Sequence, residues 1–180
     1  MFGIYLHIPF CRRRCKYCDF ITYAGKDEFM PDYYGALISE LRYQACHLQN
    51  LPQEVDTIFF GGGTPSVMKA EWIRSLVDCI RSEYGLAEDS EITLEANPGT
   101  LSPGYLDNLL EAGVNRLSIG VQSFAKPELA LLGRIHSPSQ AVDAIESARK
   151  AGFANLSLDL MFGIPGQSLA SWQANLEKAI

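Results

Sequence analysis

No stretch of the 180-residue chain carries the ~18–20 consecutive apolar residues that a membrane-spanning helix needs. The apolar run Phe2–Ile8 is too short for a targeting segment and leads straight into cysteines, so none is expected. Basic residues are scarce. Fifteen Lys and Arg against 21 Asp and Glu give a formal net charge of −6, which argues against nucleic acid as the main partner. The five cysteines are an odd number and three crowd into one loop, which excludes a disulfide framework. No G-x-G-x-x-G follows the first apolar run, which weakens a dinucleotide-binding fold, and no internal repeat or low-complexity segment stands out. What is present is 47% hydrophobic and 20% charged. That balance is ordinary for one soluble globular domain with a sizeable core. It is expected in the cytoplasm, where thiols stay reduced.

Five apolar runs recur as strand candidates: Phe2–Ile8, Asp56–Phe60, Glu91–Ala96, Arg116–Gln122 and Asn155–Met161. Amphipathic stretches lie between them. Pro31 and Asp32 open one with a stripe of Tyr34, Leu37, Ile38, Leu41 and Ala45. Ile73, Leu76, Val77, Ile80 and Tyr84 mark the next, ended by Gly85. Ser102 and Pro103 start a third, carried by Leu106, Leu109 and Leu110 and stopped at Gly113. Ser137 and Pro138 repeat the start signal, and Gly152 the stop. A last pattern, Ser168–Ile180, carries Leu169, Trp172, Leu176 and Ile180 without a C-cap. Strands alternating with helices at this spacing predict βαβ units and a parallel sheet. A complete or partial (β/α) barrel is the first expectation and an open doubly wound sheet the second. About five βα units of a longer barrel are expected in residues 1–180, with its C-terminal part absent.

The chemistry concentrates in YLHIPFCRRRCKYCDF, residues 5–20, where Cys11, Cys15 and Cys18 are spaced C-x3-C-x2-C. Three thiolates folded inward from one loop suit three corners of a [4Fe–4S] cluster, leaving one iron open. A structural zinc site needs four ligands, and no second Cys/His pair follows. The basic run Arg12, Arg13, Arg14 and Lys16 sits in the same loop. It reads as a solvated loop, as a docking face for an acidic electron donor, or as a local field that raises the cluster's potential.

Strand alternation supplies a second signal. Thr93, Glu95 and Asn97 oppose Ile92, Leu94 and Ala96; Ser118, Gly120 and Gln122 oppose Leu117, Ile119 and Val121; Ser157, Asp159 and Met161 oppose Leu156, Leu158 and Leu160. Glu95, Gln122 and Asp159 thus share one face at the carboxyl ends of successive strands, where α/β proteins place their sites. Buried carboxylates need partners, so the trio suggests a polar ligand over unrelated residues near water. The second strand ends in Gly61-Gly62-Gly63-Thr64-Pro65, which lets backbone approach a ligand closely. It lacks a P-loop lysine and suits a phosphate, an ammonium group or simply a tight turn.

C-x3-C-x2-C with an aromatic before its last cysteine resembles the radical S-adenosylmethionine (SAM) enzymes. The longer string resembles their oxygen-independent coproporphyrinogen III oxidase-like branch, which includes heme chaperones. The resemblance covers nearly the whole chain. It implies that Cys11, Cys15 and Cys18 ligate the cluster, and that SAM binds the open iron through its amino and carboxylate groups. Gly62, Gly63 and Thr64 would hold the methionine amino end. Glu95, Gln122, Arg134 and Asp159 would contact SAM, with Arg134 suited to a carboxylate. Tyr5 matches a tyrosine near SAM and Tyr17 an aromatic on adenine, although both also read as core aromatics. The implied chemistry is one-electron reductive cleavage of SAM to methionine and a 5′-deoxyadenosyl radical.

Two departures matter within the branch. Phe20 stands where the oxidases carry a further cysteine, and their amino-terminal extension is lacking. Both move the expectation towards the heme chaperone-like members. Heme, a heme-acceptor protein and an electron donor such as a flavodoxin-like protein are then the implied partners. Porphyrinogen oxidation and a cluster module without SAM chemistry are the competing functions. Cys46, Cys79, Trp72 and Trp172 read as packing residues, His7 as a hydrogen-bonded core histidine, and His47 and His136 as surface residues.

Overall fold

Runs of β-branched and aromatic residues set the strands, and Pro, Ser and Gly punctuate them. In the computed structural model, which describes residues 2–48 and 54–180, the order is β1 (Gly3–Ile8), β2 (Phe10–Cys11), β3 (Tyr23–Ala24), α1 (Met30–His47), β4 (Val55–Gly62), α2 (Ala70–Tyr84), β5 (Leu86–Ala96), α3 (Pro103–Glu111), β6 (Arg116–Gln122), α4 (Lys126–Leu132), α5 (Pro138–Ala151), β7 (Asn155–Leu160) and α6 (Leu169–Ala179). All five expected strands and the expected helices are present. Three elements were not anticipated. Strands β2 and β3 are two residues each, and α4 is seven, too short for periodicity to reveal. Ser137 caps α5 in a full capping box with Gln140. Ser102 occupies the N-cap of α3, but its side chain makes no cap hydrogen bond.

The main sheet is entirely parallel in the order β1-β4-β5-β6-β7. Each new strand adds beside the last with no reversal, so there is no topological switch point of the kind a doubly wound sheet requires. Right-handed crossovers in a constant direction place the helices on one face. This is a segment of a (β/α) barrel.

Register sorts the side chains into two faces. Leu6 aligns with Phe60, Phe60 with Leu94, Leu94 with Leu117 and Leu117 with Leu156. This apolar face packs under the helices, with Leu6, Phe60, Leu94 and Leu117 all buried. Each such side chain contributes roughly 1.5–3 kcal/mol on burial. Two tyrosines pin the layers: Tyr33 Oη donates to His7 O at 2.6 Å and Tyr84 Oη to Leu41 O at 2.6 Å. The opposite face carries Tyr5, His7, Phe59, Thr93, Glu95, Arg116, Ser118 and Asp159 in matching register. It is the inner face of the barrel segment.

Helix α6 departs from expectation. Of its apolar stripe, Leu169 (81% exposed), Leu176 and Ile180 face outward and Trp172 is half-buried. The buried residue is Asn175. Polar contacts hold this helix, as described below.

Candidate metal and cofactor site

Cys11 ends β2, and pairing of that strand with β3 closes the cysteine loop on itself. The loop is then tied to the sheet from two sides. Gly63 N donates to Ile8 O at 2.8 Å and Thr64 N to Phe10 O at 2.9 Å. On the far side, Lys16 N donates to Leu132 O at the end of α4, 3.0 Å away. The approach at Gly63 is close enough to exclude any side chain: a Cβ there would lie 2.7 Å from Phe10 O and 3.0 Å from Cys11 Sγ. Glycine is required because two backbones meet.

Cys11, Cys15 and Cys18 are free thiols that line one cavity of about 250 Å³. Gly62, Gly63, Thr64, Tyr17, Glu95, Gln122, Arg134 and Asp159 line the same cavity. Tyr5 does not. It is 57% exposed and stacks on Phe59, and its hydroxyl lies 3.1 Å from His7 Nδ1. His7 Nε2 is 3.0 Å from Ile21 O, a carbonyl that can only accept, so Nε2 carries the proton and Nδ1 accepts from Tyr5. His7 is therefore a hydrogen-bonded clamp between β1 and the end of the cysteine loop.

Arg134 is the hub. It follows α4, and its Nη1 lies 3.4 Å from Cys15 Sγ while its Nη2 donates to Asn97 Oδ1 and to Gly120 O at 2.6 Å. Asn97 passes the contact on through Nδ2 to Thr64 Oγ1 at 2.9 Å, and Thr64 Oγ1 lies 3.4 Å from Cys11 Sγ. Gly120 leaves room for this: a Cβ would sit 3.2 Å from both Asn97 Oδ1 and Gln122 Nε2. Arg134 Nε is buried without a hydrogen-bond partner among the described residues. A buried guanidinium donor left open at the cavity wall suits a carboxylate.

The other polar residues are arranged at the strand ends. Glu95 accepts from Gly62 N at 3.1 Å, and Ser118 Oγ donates to Asp159 Oδ1 at 3.0 Å. Burial raises the Glu95 pKa, the Gly62 hydrogen bond opposes this, and the charge of Asp159 adds to it. Asp159 itself is exposed rather than buried, because β7 is an edge of the described sheet. Gln122 has a φ of +67°, the one non-glycine with positive φ among the described residues, where the register of β6 and β7 slips. Burial pushes the Tyr17 phenol up to about 12 against the pull of Arg134, and burial likewise raises the Cys11 thiol.

Sequence reasoning missed Asn97 and Ser118 as working residues, although the strand alternation had put both on the inner face. It also misplaced His136, which is buried, with Nε2 3.1 Å from Val121 O. Burial, then the nearby Arg134 charge, lower its pKa to about 4. Nothing in a lone His after a loop signals that enclosure. Cys46 is exposed rather than packed, because it lies on the outer side of α1's last turn, while Cys79 is buried. Trp72 stacks on Tyr34 at 5.3 Å as a helix-packing residue should.

Three thiols on one loop, an open guanidinium and a glycine-walled cavity fit a cluster with a small zwitterionic ligand. Among the described residues, no three His, Cys, Asp or Glu side chains converge on a point where one metal ion would sit. A cluster whose separate irons take separate thiolates does not need them to. The radical SAM superfamily matches residues 5–179. This chain belongs to the radical SAM superfamily. Membership implies a [4Fe–4S] cluster and SAM. Heme chaperone HemW of Escherichia coli (strain K12) is 44% identical over 179 residues, covering 99% of this chain and 47% of that protein. Heme chaperone HemW of Bacillus subtilis (strain 168) is 41% identical, covering 100% and 47%. Coproporphyrinogen III oxidase (HemN) from E. coli, a radical SAM enzyme of known structure, superposes with a TM-score of 0.88 at 30% identity, over 99% of this chain and 41% of that one. These relatives put the chain in the coproporphyrinogen oxidase-like branch, close to the heme chaperones. The chain spans about half the length of the curated relatives it matches. No helix among the described residues is long and apolar enough to cross a membrane.

Proposed function

We propose that this chain is the radical SAM core of a heme chaperone-like protein, one that binds heme and passes it to an acceptor protein in the cytoplasm. The observation that carries the cofactor part is the opening of Cys11, Cys15 and Cys18 onto the same cavity as Arg134, Glu95, Gln122 and Asp159. The heme part is supported by relatives named heme chaperone HemW at 44% and 41% identity. In this reading Cys11, Cys15 and Cys18 hold the cluster. Arg134 receives the SAM carboxylate on its open Nε. The Gly62–Thr64 segment lies along the methionine amino end, Glu95 and Asp159 accept from amine or hydroxyl groups, and Tyr17 packs on adenine. Tyr5 acts through His7, outside the cavity. When bound, the cluster supplies one electron to the sulfonium of SAM.

Anaerobic EPR of the reconstituted, dithionite-reduced protein tests this. A [4Fe–4S]+ signal that shifts on adding SAM is expected, and is lost in Cys11→Ser, Cys15→Ser and Cys18→Ser. A cluster signal indifferent to SAM, or zinc in place of iron, overturns it. The TM-score of 0.88 to the oxidase favours one alternative, turnover of a porphyrinogen. Vinyl product formed from coproporphyrinogen by the reconstituted protein establishes that alternative, whereas stable heme binding without product supports the chaperone.

A further inference from the structure

Strand β6 ends in an abrupt reversal. Ser123 N donates back to Val121 O at 2.8 Å, closing a three-residue γ-turn with Gln122 at its centre and φ at +67°. That sign of φ belongs to the classic γ-turn, the rare and strained form. Strain of this kind persists only where the surroundings impose it. From β7, Met161 N donates to Gln122 O at 2.9 Å. The loop after α4 supplies the other ties with alternate side chains, leaving Ile135 exposed between them. Arg134 Nη2 donates to Gly120 O at 2.6 Å, and His136 Nε2 lies 3.1 Å from Val121 O. A carbonyl only accepts, so Nε2 carries the ring proton. Val121 O thus receives two donors, one from within the turn and one from His136, 15 positions away.

We infer that His136 is a positioning residue for SAM: its hydrogen bond to Val121 O holds the γ-turn that aims the Gln122 amide into the cofactor cavity. The inference rests on the cofactor reading above. Gln122 lines that cavity, with its Nε2 packed against Gly120. Returning φ to the extended range rotates Cβ about the N–Cα bond and swings the amide out of the cavity wall. Arg134 already has its own contacts to Cys15 and Asn97, so the tie at Val121 falls to His136. The ring suits the task. It is buried, and that burial, with the charge of Arg134, lowers its pKa to about 4. It therefore donates as a neutral group and adds no second charge beside the guanidinium. An apolar side chain would fill the same space without the donor.

Titration calorimetry of SAM binding to the reconstituted protein tests this, with iron content measured on each sample. His136→Leu fills much of the space without a donor and is expected to weaken SAM about tenfold at unchanged iron content. His136→Gln carries an amide N–H near the place of Nε2 and should recover most of that loss. In a Gln122→Gly background, His136→Leu should cost less than about twofold more, because the side chain it positions is already gone. Full SAM affinity in His136→Leu overturns the proposal. So does a loss that adds in full to that of Gln122→Gly, which places the effect elsewhere in the site. Iron lost together with SAM binding also overturns it, since a residue acting through Gln122 leaves the cluster in place. Should His136→Leu not fold, His136→Gln decides: affinity near that of the unsubstituted protein supports the donor's role, and a tenfold loss overturns it. Unsubstituted protein whose cluster binds no SAM overturns the cofactor reading, whereas a SAM-binding protein indifferent to His136→Leu overturns only the role of His136.

Discussion

Gln122 is held at φ +67°, a conformation that costs an ordinary residue roughly 1–2 kcal/mol. Strain of this kind persists where the surroundings over-determine it, and here the side chain lines the cofactor cavity beside Gly120 and Arg134. Gln122→Gly should therefore raise stability by about 1 kcal/mol, or about 2–4 °C in Tm for a chain this size. It should also weaken SAM binding about tenfold through the lost amide. Thermal melts and SAM calorimetry on the same protein check both. A stabilised variant with unchanged SAM affinity would remove Gln122 from the site. Alternation along β5, β6 and β7 was enough to place Glu95, Gln122 and Asp159 at one end of one face. The left-handed turn at Gln122 was not legible, because glutamine carries no signature for it. Arg134 lies in a loop without periodicity, so resemblance supplied it and residue patterns did not.

Helices α4 and α6 meet through a carboxylate. Glu128, buried on α4, accepts from Ser123 Oγ at 2.6 Å, Ser171 Oγ at 2.5 Å, Gln167 Nε2 at 3.0 Å and Asn175 Nδ2 at 3.3 Å. No cation pairs with it among the described residues. Burial alone would raise its pKa, but the four hydrogen bonds outweigh that and hold it below its ordinary value. A depressed carboxylate stabilises the fold above its unfolded pKa, and that contribution is lost as pH falls through the lowered folded value. Docking of α6 should thus weaken below about pH 4.5. Glu128→Ala leaves Asn175 and Gln167 short of an acceptor and should cost about 2–3 kcal/mol. Hydrogen exchange across residues 169–179 should speed up in this variant at neutral pH, while exchange in β1 and β4 stays slow. Unchanged exchange in α6 would show that the network does not hold the helix. The apolar stripe of α6 pointed to ordinary helix packing; the actual anchor, Asn175, sits between its leucines where a pattern of apolar residues cannot show it.

Across the whole molecule, one face of the sheet is a hydrocarbon layer under helices and the other a polar chamber that opens at the carboxyl ends of the strands. A complete barrel ordinarily fills that interior with branched aliphatic side chains; here Thr93, Glu95, Arg116 and Ser118 stand in their place. Such an interior gains stability from what it holds. SAM at 100 times its dissociation constant should add about 2.7 kcal/mol to the reconstituted protein. That corresponds to a rise in Tm of about 5–10 °C at 2–4 °C per kcal/mol. The triple variant Cys11→Ser, Cys15→Ser, Cys18→Ser should show little of it by differential scanning calorimetry, and an equal rise would place SAM independently of the cluster. The strand order was readable from the βα rhythm, but the ties that shape the site were not, because they join residues far apart in sequence. Cys11 meets Thr64 across 53 positions and Cys15 meets Arg134 across 119. On a ribosome working at ~5–20 residues per second, the thiols emerge first and wait roughly 6–24 s for the arginine that encloses them. During that interval they are open to oxidants and to stray metals, so the nascent chain needs its surroundings kept reducing until α4 has been made.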